Sequence, residues 1–174
     1  MAGHELLRVV TTVLGAAVVG AFGLSPGASP EPACGGFVDA RPSPARAARV
    51  LSLARSTPEG RRALAGVSEP EICFDPGADA RSVVVGPRTL VLVAQDDDRR
   101  LAARAAHLSL HRREASLFGE SPSVAGCDAW LSRVLAAERE AHATEAAVAR
   151  ELAAPAGSGE SLEELAVAYR ARCR

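Results

Sequence analysis

Apolar residues along this chain recur with two periods, about 3.6 residues in some segments and about 2 in others. ARAARVLSLARS, residues 45–56, keeps helical spacing behind Ser43 and Pro44, which supply a cap and a first-turn proline. Thr57 and Pro58 start a second short helix, PEGRRALAGV, by the same rule. EICF at 71–74, SVVV at 82–85 and TLVLVA at 89–94 read as strands, with Gly86-Pro87-Arg88 predicting a hairpin between the last two. Asp96, Asp97 and Asp98 cap and charge the start of a long helix through AARAAHLSLHRREASLF. A second long helix spans about 125–152, and Gly157-Ser158-Gly159 separates it from a last one, ESLEELAVAYRARCR. Together these elements predict an α+β, mainly helical fold. A small antiparallel sheet of about three short strands packs on the two long helices, with N- and C-terminal helices beside them.

The long helices carry ionisable residues where apolar ones belong. His107, His111 and Glu114 fall at i, i+4 and i+7 on the first, and Glu138, His142 and Glu145 do the same on the second. Turning the first helix about 100° per residue places its histidines within the arc of Ala103, Leu110 and Leu117. Arg104 is the one other charge in that arc, while Ser109, Arg112, Arg113 and Ser116 take the opposite side. On the second helix Leu131, Val134, Leu135, Ala141 and Val148 surround Glu138, and Glu140 points away. Burying such groups requires partners, so the two stripes face each other or share an ion. Two imidazoles one turn apart reach a single ion, and a carboxylate from a facing helix completes three protein ligands, His107, His111 and Glu138. Glu114, His142 and Glu145 are then partners that fix imidazole tautomers or balance charge, with Glu114 an alternative fourth ligand. The same pattern also suits a His–Glu core network without metal.

Composition narrows the setting. The net charge is −1 and every basic residue is an arginine, so no electrostatic footprint for nucleic acid exists. Aromatics make up 3% of the chain, leaving Ala, Leu and Val to build the core. Such a core buries little area per residue and gains from an added crosslink or metal. Residues 9–24, VVTTVLGAAVVGAFGL, hold no charge, so residues 1–26 read as a signal peptide or a membrane anchor. Residues 27–44 are dense in Pro, Gly and Ser and read as a linker, with a single domain over 45–174. Either reading of the N-terminus exports the domain, secreted or periplasmic in one case and membrane-anchored in the other. In an oxidising compartment Cys34, Cys73, Cys127 and Cys173 can form two bridges, in any of three pairings.

The order of a strand, a helix with HxxxH and a later helix bearing Glu resembles the zincin-type metallopeptidases. HLSLH at 107–111 is similar to their HExxH with Leu108 in place of the glutamate, and EREAH at 138–142 is similar to the E-x-E-A-D of gluzincins. The resemblance covers about residues 70–150 and implies zinc held by His107, His111 and Glu138. It also implies that TLVLVA belongs to the sheet edge that holds substrate extended. His142 stands where the family has aspartate. Leu108 cannot take a proton from metal-bound water, so the catalytic base is missing and no catalytic residue is assigned. The expectation is an exported, catalytically impaired zincin-like domain that binds zinc and a protein or peptide partner. The alternatives are a helical envelope protein with a structural His/Glu network, and an active metallopeptidase with a non-standard base such as Glu114 or Glu145.

Overall fold

The computed structural model describes residues 33–78, 81–155 and 161–173. The apolar run at 9–24 and the signal or anchor expected there lie outside the described residues. A 3-10 turn at Ala33–Gly36 leads to β1 (Arg41–Pro42), α1 (Pro44–Ser56), α2 (Pro58–Leu64), β2 (Glu71–Asp75), β3 (Val83–Val85) and β4 (Thr89–Val93). Then follow α3 (Asp98–Arg113), α4 (Ala115–Gly119), a 3-10 turn at Val124–Gly126, α5 (Cys127–Glu151) and α6 (Leu162–Arg170). The architecture is α+β and mainly helical, as the periodicities imply. Among the described residues, no helix is long and apolar enough to cross a membrane.

Local chemistry explains the boundaries. Thr57 serves both short helices, donating its hydroxyl hydrogen to Ala54 O and accepting from Gly60 N, each at 3.0 Å. A Cβ at Gly60 would lie 1.9 Å from Ala54 O, so only glycine lets α2 turn this tightly against α1. Asp97 caps α3 by accepting from Arg99 N and Arg100 N. Asp98 pairs with Arg46 at 2.7 Å and Arg49 at 3.1 Å, tying the start of α3 to α1.

The sheet departs from the all-antiparallel expectation. Its order is β1-β2-β4-β3, and β2 runs parallel to β4. The expected hairpin is present, with Val85 opposite Thr89 and Gly86 at φ 57° in the turn. That hairpin brings β4 inside β3, next to β2, and so reverses the direction β2 meets. Turn residues determine the hairpin alone, whereas the β2–β4 pairing depends on how the layers stack.

Residues 33–44 do more than link. Cys34 and Ala40 are buried with Cys73 and Val91, and Cys34 is disulfide-bonded to Cys73. This segment covers one face of the sheet, while Ile72, Phe74, Leu90 and Leu92 meet the helices on the other. Burial on both faces is why TLVLV reads as a continuous apolar run.

α3 is the central helix, packed against α1, α2, α5 and the sheet. Of the residues expected on its solvated side, Arg113 and Ser116 are exposed, but Ser109 and Arg112 are enclosed. Ser109 is buried and donates to Ala105 O at 2.7 Å, and Arg112 donates to Pro87 O and Ser68 O. α5 lies alongside α3, and α6 is held to the start of α5 by a second disulfide, Cys127–Cys173. Two disulfides are compatible with an exported protein.

Candidate metal centre

The α3–α5 contact brings the two stripes face to face. Glu138 is 3% exposed, and its Oε2 lies 3.3 Å from His111 Nε2, 3.8 Å from His107 Nε2 and 3.9 Å from His142 Nε2. His107, the most enclosed of the imidazoles, presents its other nitrogen, Nδ1, to Glu145 Oε2 at 2.8 Å. Arg104, the charge that intrudes on the apolar arc, reaches the same Glu145 oxygen at 3.1 Å. The three histidines among the described residues are all in this cluster.

Three ring contacts pack the site. His107 and His111 stack at 4.7 Å between centroids, His142 meets His107 edge-on at 4.8 Å, and Phe118 stacks on His111 at 4.2 Å. From α6, Tyr169 donates its hydroxyl hydrogen to Glu138 Oε1 at 2.5 Å. The two oxygens of Glu138 thus have separate duties. Oε1 is held by Tyr169, and Oε2 is turned to the imidazoles.

Several buried polar atoms in the cluster have no well-aligned hydrogen-bond partner: His107 Nδ1, His111 Nε2, His142 Nε2 and Glu145 Oε2. The 2.8 Å approach of Glu145 to His107 is a close ion-pair distance, but the oxygen is poorly in line with the N–H direction. It counts as an electrostatic contact rather than a well-made hydrogen bond. Buried nitrogens left without partners cost free energy, and an ion among them would remove that cost.

The electrostatics prepare the same atoms. Burial is the largest influence on His107 and lowers its pKa; Glu145 opposes it, while His111 and Arg104 add to the lowering. The net direction is below 6.5, toward the neutral imidazole that metals bind. For Glu138, burial raises the pKa, but His111, Tyr169 and His107 outweigh it and hold the carboxyl below its usual 4.5. Glu145 behaves alike, with burial overcome by His107, Arg104 and His142. A neutral His107 imidazole beside ionised carboxylates suits a divalent cation.

Two groupings of three could hold an ion, His107 with His111 and Glu138, and His107 with His142 and Glu145. The first is the set that helical phase selects. Glu114 is not part of either. α3 ends at Arg113 and Glu114 is its exposed C-cap, so the helical period breaks before the i+7 position. Leu108 is 5% exposed and packs toward the sheet with Leu51 and Ala105. Tyr169 is the residue that sequence reasoning missed. Its one signal is composition, since it is the only tyrosine in the chain.

The cluster opens on a cleft of about 960 Å³. Ser82 with Val83 and Val84 of β3, an outer strand of the sheet, forms one wall, and Leu165 and Tyr169 of α6 form another.

Comparison with known proteins yields no matching family model, no matching curated protein and no matching solved structure.

Proposed function

We propose that this chain is an exported, zincin-like domain that holds zinc at His107, His111 and Glu138 and binds an extended peptide without cutting it. The observation that carries the reading is the buried meeting of Glu138 Oε2 with the imidazole nitrogens, 3.3 Å from His111 and 3.8 Å from His107. Donors on zinc bonds of about 2.0–2.1 Å stand about 3.3–3.4 Å apart in a tetrahedron, so an ion would draw these three donors, now within 4.8 Å of one another, somewhat closer together. Two of its nitrogens, on His111 and His142, lack any other hydrogen-bond partner. Zinc bound there would act as a crosslink between α3 and α5. His107 is oriented by Glu145, which Arg104 holds in turn, and Tyr169 keeps Glu138 from binding through both oxygens.

Peptide binding rests on β3, an outer strand whose residues Val83 and Val84 line the cleft beside the cluster. Impaired catalysis rests on Leu108, which offers no base. Export rests on the two disulfides together with the uncharged run at 9–24, which suits a signal peptide or an anchor.

Elemental mass spectrometry of the purified full chain tests the metal. Near-stoichiometric zinc is expected in wild type and is lost in His111→Ala and Glu138→Ala. A wild type without metal, with both variants folded, would leave a His/Glu network that only braces the helices. Cleavage of casein by wild type, abolished by a chelator, would overturn the non-cutting part.

A further inference from the structure

We infer that His142 is a fourth protein ligand, so that the ion, once bound, has no open coordination position. This rests on the metal-site reading above and concerns what kind of site it is. Glu138 Oε2 is the common point of three nitrogens, and the His142 distance of 3.9 Å differs little from the 3.8 Å of His107. His142 lies one helical turn after Glu138 on α5, so the two side chains are neighbours by helix geometry alone. Its Nε2 is buried and finds no hydrogen-bond partner, and its ring is set edge-on against His107.

The competing use of His142 is the second grouping, with His107 and Glu145. There the Arg104 guanidinium stands 3.1 Å from Glu145 Oε2. A fixed cation beside that oxygen repels a second ion and already neutralises the carboxylate. Among the described residues, the ion-pair contacts at Glu138 Oε2 are all imidazoles. His142 is therefore better used toward Glu138, and closure needs its ring to turn inward toward His107 and His111, because the groupings whose donor atoms all lie within 4.8 Å of one another do not yet join it to Glu138. At 29% side-chain exposure on the cleft side, it has room to turn.

Three imidazoles and one carboxylate make a complete tetrahedron, and complete protein coordination is the mark of a structural ion. A catalytic ion keeps a position for water. The missing base at Leu108 and a filled fourth position are then two parts of one change. With no metal-bound water to activate, a carboxylate at 108 has nothing to deprotonate.

Cobalt substitution in the full chain reads the coordination directly. The wild-type Co(II) protein is expected to show a four-coordinate visible spectrum that azide does not alter. In His142→Ala the spectrum should respond to azide as the anion enters the vacated position. Affinity should fall by more than the roughly 10–100-fold typical of losing an outer hydrogen-bond partner. His142→Asn guards against a folding defect, since it keeps a polar group and should respond to azide in the same way. Equal azide response in wild type and both variants would overturn the fourth ligand while leaving a three-ligand site standing. A wild type that binds neither cobalt nor zinc, folded by circular dichroism, would overturn the metal site itself and this inference with it.

Discussion

Tyr169 donates a 2.5 Å hydrogen bond to Glu138, across 31 positions of sequence and from a different helix. The bond occupies Oε1 and leaves Oε2 to the imidazoles, so a residue outside both polar stripes decides how the central carboxylate is presented. Tyr169→Phe removes the donor and keeps the ring that packs edge-on against Trp130 at 5.9 Å. The expected result is a metal affinity about 10-fold weaker with little change in stability, measured by competition with a chromophoric chelator. Unchanged affinity would mean that Glu138 is positioned by α3 and α5 alone.

The two disulfides should separate stability from metal binding. Cys34–Cys73 and Cys127–Cys173 close loops of similar length, with separations of 39 and 46 residues. Loop-closure entropy assigns each about 4 kcal/mol as an upper figure. Only the second anchors α6, and with it Tyr169. Replacing Cys127 and Cys173 by Ser should lower both denaturation midpoint and metal affinity. Replacing Cys34 and Cys73 should lower the midpoint alone. Chelator competition and urea unfolding on both double variants check this, and equal loss of affinity in the two would exclude a special role for α6.

Restoring the base tests what is missing for hydrolysis. Leu108 is 5% exposed, in the apolar core where it borders the cleft, so Leu108→Glu places a carboxylate among apolar side chains at a cost of roughly 3 kcal/mol. With His142 filling the fourth position, this single change is expected to yield no peptidase activity. Leu108→Glu combined with His142→Ala both supplies the base and opens the ion, and is the variant expected to cut a fluorogenic peptide. Activity in Leu108→Glu alone would show that water already reaches the metal.

Acid sensitivity has a distinct source away from the cluster. Burial raises the pKa of Asp98, but the bonds and charges of Arg46 and Arg49 outweigh it, so the folded pKa lies below 3.8. On acidification the unfolded chain takes up the proton first. The stabilising contribution is complete well above pH 3.8 and is lost as the pH falls through the lower folded value. At a side chain 25% exposed, it amounts to roughly 1 kcal/mol after solvent screening. Metal-free wild type and Asp98→Asn should differ by that amount near neutrality and converge below pH 3.8, as urea titrations at several pH values would read. A gap that persists in acid would assign the effect to packing of Arg46 on Phe74, which it covers at 4.7 Å.

Helical phase alone selected His107, His111 and Glu138, because side chains at i and i+4 share a helix face whatever the helix packs against. The same local rules located the caps at Ser43, Thr57 and Asp97 and the β3–β4 hairpin, since each depends on residues within a few positions. They failed where an outcome depends on which elements meet. Glu114 left the stripe because α3 ends one residue earlier, and Ser109 and Arg112 were enclosed because α3 is surrounded rather than set at a surface. The parallel β2–β4 pairing, the choice among three disulfide connectivities, Arg104 on Glu145 and Tyr169 on Glu138 all join residues far apart in the chain. Periodicity tells which face of a helix is apolar. Which side chains meet across that face is decided only when the helices pack, because contact requires the two stripes to be in register in space.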